Sequence, residues 1–405
     1  MPAASPPPAP LSSPFSPGEL PRVLVGRVGE QARIRDHLGR VHTFGEMSGR
    51  LLVLHAPRGL GKTSLLREAQ SQAVELGFVT AWLSCAKGGR LVPELVHSVH
   101  RALDAAPAID RKAQRRWAAS VSRLGIELGV AGLKVGADVD LRRSDRELPV
   151  GAVGAVEDLL HEAATLVRRS GGAGLLVLVD EVHAAPFTEL AVLLNAVQDL
   201  AGARADNPLA VMAAGLPSTP EMLTRAATFG ERSEFVPLDR FDADDSRLVL
   251  ARPAEELGVH WADDALRRAL AFGDGYPYFL QLVGHTTWQA ATPAAGDTLT
   301  VADVRAGETE IDAQLAAMYR ARWDSAPQLE RDLMAAMAGL AVRGTEVVTR
   351  ADVAAAMGRE SRAISVPRAR LIDRGVIEAS GRGRLRFTLP GMARWIRDET
   401  DPASA

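Results

Sequence analysis

Between positions 22 and 238, short and nearly continuous apolar runs alternate with stretches whose apolar residues recur three and four apart. The runs are LLVLHA (51–56), FVTAWLS (78–84), GLLVLVDE (174–181), PLAVMAAG (208–215) and SEFVPL (233–238). Runs this short and continuous predict strands buried on both faces, so the segment reads as an α/β domain with a parallel sheet. The rhythm breaks over 105–149, where IELGVAGLKVGADVD alternates around Ala131-Gly132. That alternation predicts an inserted β-hairpin (126–139), read as an excursion that covers a sheet edge.

Beyond 238 the period becomes helical in DADDSRLVLARPAEELG, ADDALRRALAFG and YPYFLQLVGHTTWQAA, with Asp and Ser placed as N-caps. A helical domain is expected over 239–322, ending in a linking helix around 300–322. Residues 323–398 read as a helix, a turn at Gly358, a second helix to Arg374 and a hairpin through Ser380-Gly381. That order is a winged helix-turn-helix. Short tails at 1–21 and 399–405 complete the division; the first, Pro/Ala/Ser-rich, is expected to be disordered.

Composition changes this picture in three places. The net charge of −3 conceals a basic C-terminal module, because positions 341–400 carry about 12 Arg against 7 acids. The lone Cys85 excludes an intramolecular disulfide framework and any all-cysteine metal site, and reads as core packing. No apolar run approaches the roughly 20 residues of a membrane span, and the N-terminus lacks the pattern of a secretory signal. A cytoplasmic protein with no membrane partner is the expectation.

The candidate chemistry begins at Ala56, Pro57, Arg58, Gly59, Leu60, Gly61, Lys62, Thr63 and Ser64, a Walker A sequence set between a buried strand and an amphipathic helix. Gly59 and Gly61 permit the turns that aim backbone N–H groups inward, and the helix N-terminus adds its positive dipole end, which together cradle a triphosphate. Lys62 is expected on the β and γ phosphates and Thr63 on Mg²⁺. Ala56 stands where the strictest pattern has Gly. About 120 residues later GLLVLVDE supplies a second buried strand ending in Asp180 and Glu181, as in Walker B. Asp180 is expected to hold Mg²⁺ through water, and Glu181 to orient the attacking water.

The acid after Asp180, and the extra strand required between the two motif strands, mark the ASCE division of P-loop NTPases. The chain resembles the AAA+/STAND ATPases, particularly bacterial and archaeal proteins related to origin-recognition ATPases, over about residues 22–398. The resemblance implies ATP and Mg²⁺ as ligands, a parallel ASCE sheet, a helical lid and a winged helix. LVGRVGEQARIRDHL (24–38) resembles the segment that lines the base pocket, which implies Val25, Gly26 and Arg27 there. GYPYFLQ (275–281) resembles the lid motif, which implies Pro277 against the nucleotide. Arg232 sits where the family places an arginine finger, with Arg225 as the alternative. The strand PLAVMAAG ends without the usual polar sensor, and the lid lacks the customary Arg. Slow or partner-stimulated hydrolysis is therefore expected. His183, in DEVH, is read as a packing or solvent residue beside the site, because no second motor domain follows to support a helicase.

Ser361, Arg362, Ser365, Arg368 and Arg370 from the second helix, with Arg382, Arg384 and Arg386 on the hairpin, would meet duplex DNA through its phosphates with weak sequence preference. The rival reading is a signalling or scaffold switch whose winged helix contacts protein. A nucleotide-binding protein with negligible turnover is the third. An Arg232 finger would imply a homo-oligomer.

Overall fold

The computed structural model of the protein describes residues 10–107, 109, 112–115, 117, 151–341, 347–389 and 391–400. The expected 126–139 hairpin lies outside the described residues. The chain divides into two compact units, one of Arg27–Ala56 and Lys62–Leu238, the other of Met1–Gly26, Pro57–Gly61 and Asp239–Ala405.

In the first unit α1 (Val28–Phe44), β1 (Leu52–His55), α2 (Lys62–Glu75), β2 (Phe78–Ser84), α3 (Leu91–Ala105), α4 (Ala152–Arg169), β3 (Gly174–Asp180), α5 (Phe187–Gly202), β4 (Leu209–Gly215), α6 (Thr219–Ala226) and β5 (Glu234–Pro237) alternate as anticipated. The five strands form one sheet in the order β2-β3-β4-β1-β5, all pairs parallel. β4 therefore lies between the strands that end in the Walker A and Walker B motifs. Leu52↔Met212 on one side and Leu178↔Met212 on the other fix that register.

β3 and β4 are buried at every position, which explains why their sequences run apolar without alternation. α3 buries Leu91, Val92, Leu95, Val96, Val99 and Leu103, the stripe that a period of 3.6 puts on one face. Truncating a fully enclosed residue such as Leu178 to Ala would cost about 2–5 kcal/mol.

The second unit contains α7 (Ala243–Glu255), β6 (His260–Trp261), α8 (Asp263–Gly273), α9 (Pro277–Ala291), β7 (Thr298–Leu299), α10 (Val301–Asp324) and α11 (Gln328–Leu340). It continues with β8 (Val348–Thr349), α12 (Arg350–Ala356), α13 (Ser365–Asp373), β9 (Ile377–Ala379), β10 (Arg384–Phe387) and α14 (Met392–Thr400). Of the expected side-chain caps only that of α7 is present, since α8 and α9 follow Ala262 and Tyr276 with no side-chain cap. The Asp242 side chain accepts from the Asp245 N–H at 2.8 Å, and Thr300 and Asp303 form a capping box on α10. The last three strands make an antiparallel sheet ordered β8-β10-β9.

One expectation is corrected here. The segment read as a disordered tail over 1–21 is docked from residue 10 onward, because Phe15 behaves as a core residue within a polar, Pro-rich stretch. Phe15 is buried over Gly284 and meets Trp261 and Trp288 edge to face. The Leu11 N–H donates to the Pro293 carbonyl, and the Trp288 indole donates to the Leu11 carbonyl, both at 2.9 Å.

Candidate nucleotide site

The loop from Ala56 to Gly61 leaves β1 and enters α2, whose first residue is Lys62. Gly59 and Gly61 hold φ of 83° and 88°, values that a side chain resists. Gly59 also lacks space, since an added Cβ would lie 2.8 Å from the Tyr276 ring. Ala56 is buried at the end of β1, and the Lys62 ammonium, itself only 5 % exposed, donates to the Ala56 carbonyl at 2.8 Å.

Thr63, Asp180 and Glu181 come together as the motifs require. The Thr63 hydroxyl donates to Asp180 Oδ2 at 2.9 Å, and the Glu181 N–H donates to Oδ1 at 2.9 Å. Burial pushes the Asp180 carboxyl above the usual Asp range; the Thr63 and Glu181 hydrogen bonds and the Lys62 charge pull against it. A carboxylate and a hydroxyl converging in a site that penalises negative charge suit a hard divalent cation. Thr63 and Asp180 are the residues that would hold Mg²⁺.

Glu181 has φ 53° and ψ 36°, a left-handed conformation that costs a non-glycine residue about 1–3 kcal/mol. Sequence reasoning missed that strain; His183 lies beside the site as expected, with its Nε2 3.3 Å from Glu181 Oε2. The thiol of Cys85, beside Asp180 at the end of β2, is pushed up to about 12 by burial and neighbouring carboxylates, as fits packing rather than reactivity.

Other expected positions are placed as follows. Val25 is buried, and Gly26 has φ 72° with the Asp245 carboxylate 2.6 Å from where a Cβ would stand, a neighbour that the sequence did not suggest. Arg27 is buried, left-handed at φ 58°, and paired with Glu30 at 3.3 Å. Pro277 opens α9 at N1, and Tyr276 before it donates its hydroxyl to the Arg58 carbonyl. Arg232 is exposed at the end of the turn Thr228–Arg232, which buries Phe229 and Gly230, and Arg225 is exposed on α6.

In the basic module α13 begins at Ser365, so Ser361 and Arg362 sit in the preceding turn, where Arg362 pairs with Glu360 at 2.8 Å. Arg370, Arg382 and Arg384 are exposed, and Arg368 is half-buried. Arg386 departs from the expected outward row. It stands directly opposite Glu378 in the hairpin and is ion-paired to it.

Residues 23–212 match the family model for an AAA ATPase domain, and residues 316–396 match a domain of unknown function (DUF8462). No curated protein matches the sequence. Among solved structures, the chain is similar to the Walker-type ATPase PABY2304 of Pyrococcus abyssi, with 16% identity, 92% of this chain and 96% of that one covered, and a TM-score of 0.55. Weaker likenesses include Cdc6p from Pyrobaculum aerophilum (13% identity, 96% and 98% covered, TM-score 0.46) and RuvB of Thermotoga maritima (16% identity, 89% and 92% covered, TM-score 0.45). The sheet order, the paired motifs on its strand ends and the domain match together support a P-loop ATPase of the AAA+ kind.

Proposed function

We propose that the protein binds ATP with Mg²⁺, hydrolyses it slowly or on stimulation by a partner, and uses the cycle to switch a C-terminal winged helix that engages duplex DNA. The Thr63–Asp180 contact carries the first part, because it joins the ends of two separate motifs at one buried carboxylate.

Mg²⁺, held by Thr63 and Asp180, would neutralise phosphate charge. The chain's own residues do the rest. The loop amides hold the phosphates, and Lys62 exchanges the Ala56 carbonyl for phosphate oxygens whose charge grows as the γ-phosphoryl departs. Glu181 accepts a hydrogen bond from the attacking water and aims it, and His183 fixes the far carboxylate oxygen. Val25, Gly26, Arg27 and Pro277 are proposed for the base end. Arg232, exposed at the end of its turn, is proposed as a finger for a neighbouring subunit.

The order of helices and the β8-β10-β9 sheet support the winged-helix reading, and exposed Arg370, Arg382 and Arg384 offer phosphate contacts. The Arg386–Glu378 pair favours the second reading, a signalling or scaffold switch, since it commits part of the hairpin's charge inside the molecule. ATP turnover by the wild type and Lys62→Ala, with and without random duplex DNA at low salt, separates them. The account expects a loss of about 10²–10³-fold in Lys62→Ala and stimulation of the wild type by DNA. Turnover that depends on Lys62 but ignores DNA, with no DNA retained, moves the function to the protein-contact switch. Turnover unaffected by Lys62→Ala sinks both.

A further inference from the structure

The outer edge of the phosphate loop is held by tyrosines of α9 and the residue before it. Tyr276 donates its hydroxyl to the Arg58 carbonyl, and the Tyr278 N–H donates to the Gly59 carbonyl at 3.3 Å. A trans peptide points its C=O and N–H in opposite directions. Fixing the Arg58 and Gly59 carbonyls on the tyrosines therefore turns the Gly59 and Leu60 N–H groups away from them. Consecutive amides presented in this way, between residues at φ 83° and 88°, are what an anion-binding nest needs. Burial pushes the Tyr276 phenol well up, so it remains a donor.

Tyr276 is itself held from the C-terminal hairpin. The Arg240 guanidinium lies 5.2 Å from the Tyr276 ring centroid and donates to Glu378 Oε1 at 3.0 and 2.7 Å. Glu378 is 9 % exposed at its side chain and also receives Arg386, while Asp274 caps the cluster from Arg240 and, at 3.7 Å, from Arg386. Next to it, Gly375 closes on the loop, an added Cβ there lying 3.5 Å from the Arg58 nitrogen, and its carbonyl accepts from Arg322 at 3.0 Å.

We propose that Tyr276 is a positioning residue of the phosphate loop and that the Arg240–Glu378–Arg386 cluster holds it in place, so that the C-terminal hairpin sets the grip of the loop on nucleotide. The inference rests on the ATP-binding reading. The hairpin in its present place keeps the two amides aimed, and any partner that draws Arg386 off Glu378 loosens them.

The test is equilibrium binding of a fluorescent ATP analogue with Mg²⁺, together with kcat and KM, for the full-length wild type, Tyr276→Phe, Glu378→Gln, the double variant and Lys62→Ala. Tyr276→Phe, which removes only the hydroxyl, should weaken binding about fivefold, the worth of one hydrogen bond. Glu378→Gln should weaken it two- to fivefold. The double variant should be no weaker than the weaker single, and kcat should stay within about twofold, because both changes act through the same loop. Singles within twofold of the wild type, or losses that multiply in the double variant, overturn the inference while Lys62-dependent binding leaves the ATPase reading standing. A wild type that binds no better than Lys62→Ala removes that reading, and the inference with it.

Discussion

Two carboxylates, one in each unit, are buried in strands, and they are treated in opposite ways. Asp180, at the end of β3, receives a hydroxyl and a backbone N–H, and burial raises its pKa. Glu378, in β9, already receives two guanidiniums, from Arg240 and Arg386. A carboxylate that is desolvated without a full cationic partner is a place where the fold has left room for an external cation. One whose partners are already present is a clasp. The same residue chemistry thus marks a candidate ligand site in one unit and an internal joint in the other.

Several substitutions would break or sharpen that contrast. The largest effect is expected at the neighbour of Asp180. Glu181→Gln should lower turnover by at least about 10²-fold while nucleotide still binds, which steady-state kinetics and equilibrium titration would show. Next, Glu378→Gln should destabilise the chain by about 1–3 kcal/mol, read as a lower denaturation midpoint, because it leaves two guanidiniums short of their shared anion. The smallest effect is at the exposed arginines. Arg382→Ala and Arg384→Ala should each reduce the slope of log affinity for duplex DNA against log salt by about one, with no change in folding stability. An unchanged slope would take these side chains out of any nucleic-acid contact.

The sheet and the meeting of the loop with the paired acids were largely legible in the sequence, since continuous apolar runs, a glycine-framed loop and a paired acid are local signals. An extra strand was expected between the two motif strands, and β4 fills that place. What escaped notice depends on long-range neighbours. Phe15 was lost in a Pro-rich stretch because its socket, Trp261 and Trp288, lies more than 240 positions away. Tyr276 drew less attention than Pro277 because nothing nearby tells that its hydroxyl ends on Arg58. Arg386 was missed because the turn was placed too early. A turn at Ser380-Gly381 would set Glu378 opposite Gly383; the loop is instead centred on Arg382, which puts Glu378 opposite Arg386, and an acid directly across a hairpin claims an arginine before solvent or a phosphate does.

The most direct test of the central claim, that Asp180 is held for a metal-bound nucleotide, is the thermal unfolding midpoint of the wild type and Asp180→Asn at pH 7, with and without Mg²⁺ and ATP. A carboxyl whose folded pKa is raised favours the fold below the ordinary Asp value and loses that contribution as pH rises through the folded value, so at pH 7 its charge is a cost. Asn removes the charge, and its oxygen still accepts from the Glu181 N–H while its NH2 donates to the Thr63 hydroxyl. The account predicts that Asp180→Asn starts higher than the wild type and gains little from Mg²⁺ and ATP, whereas the wild type gains clearly. A variant that starts lower and still gains as much as the wild type would contradict it.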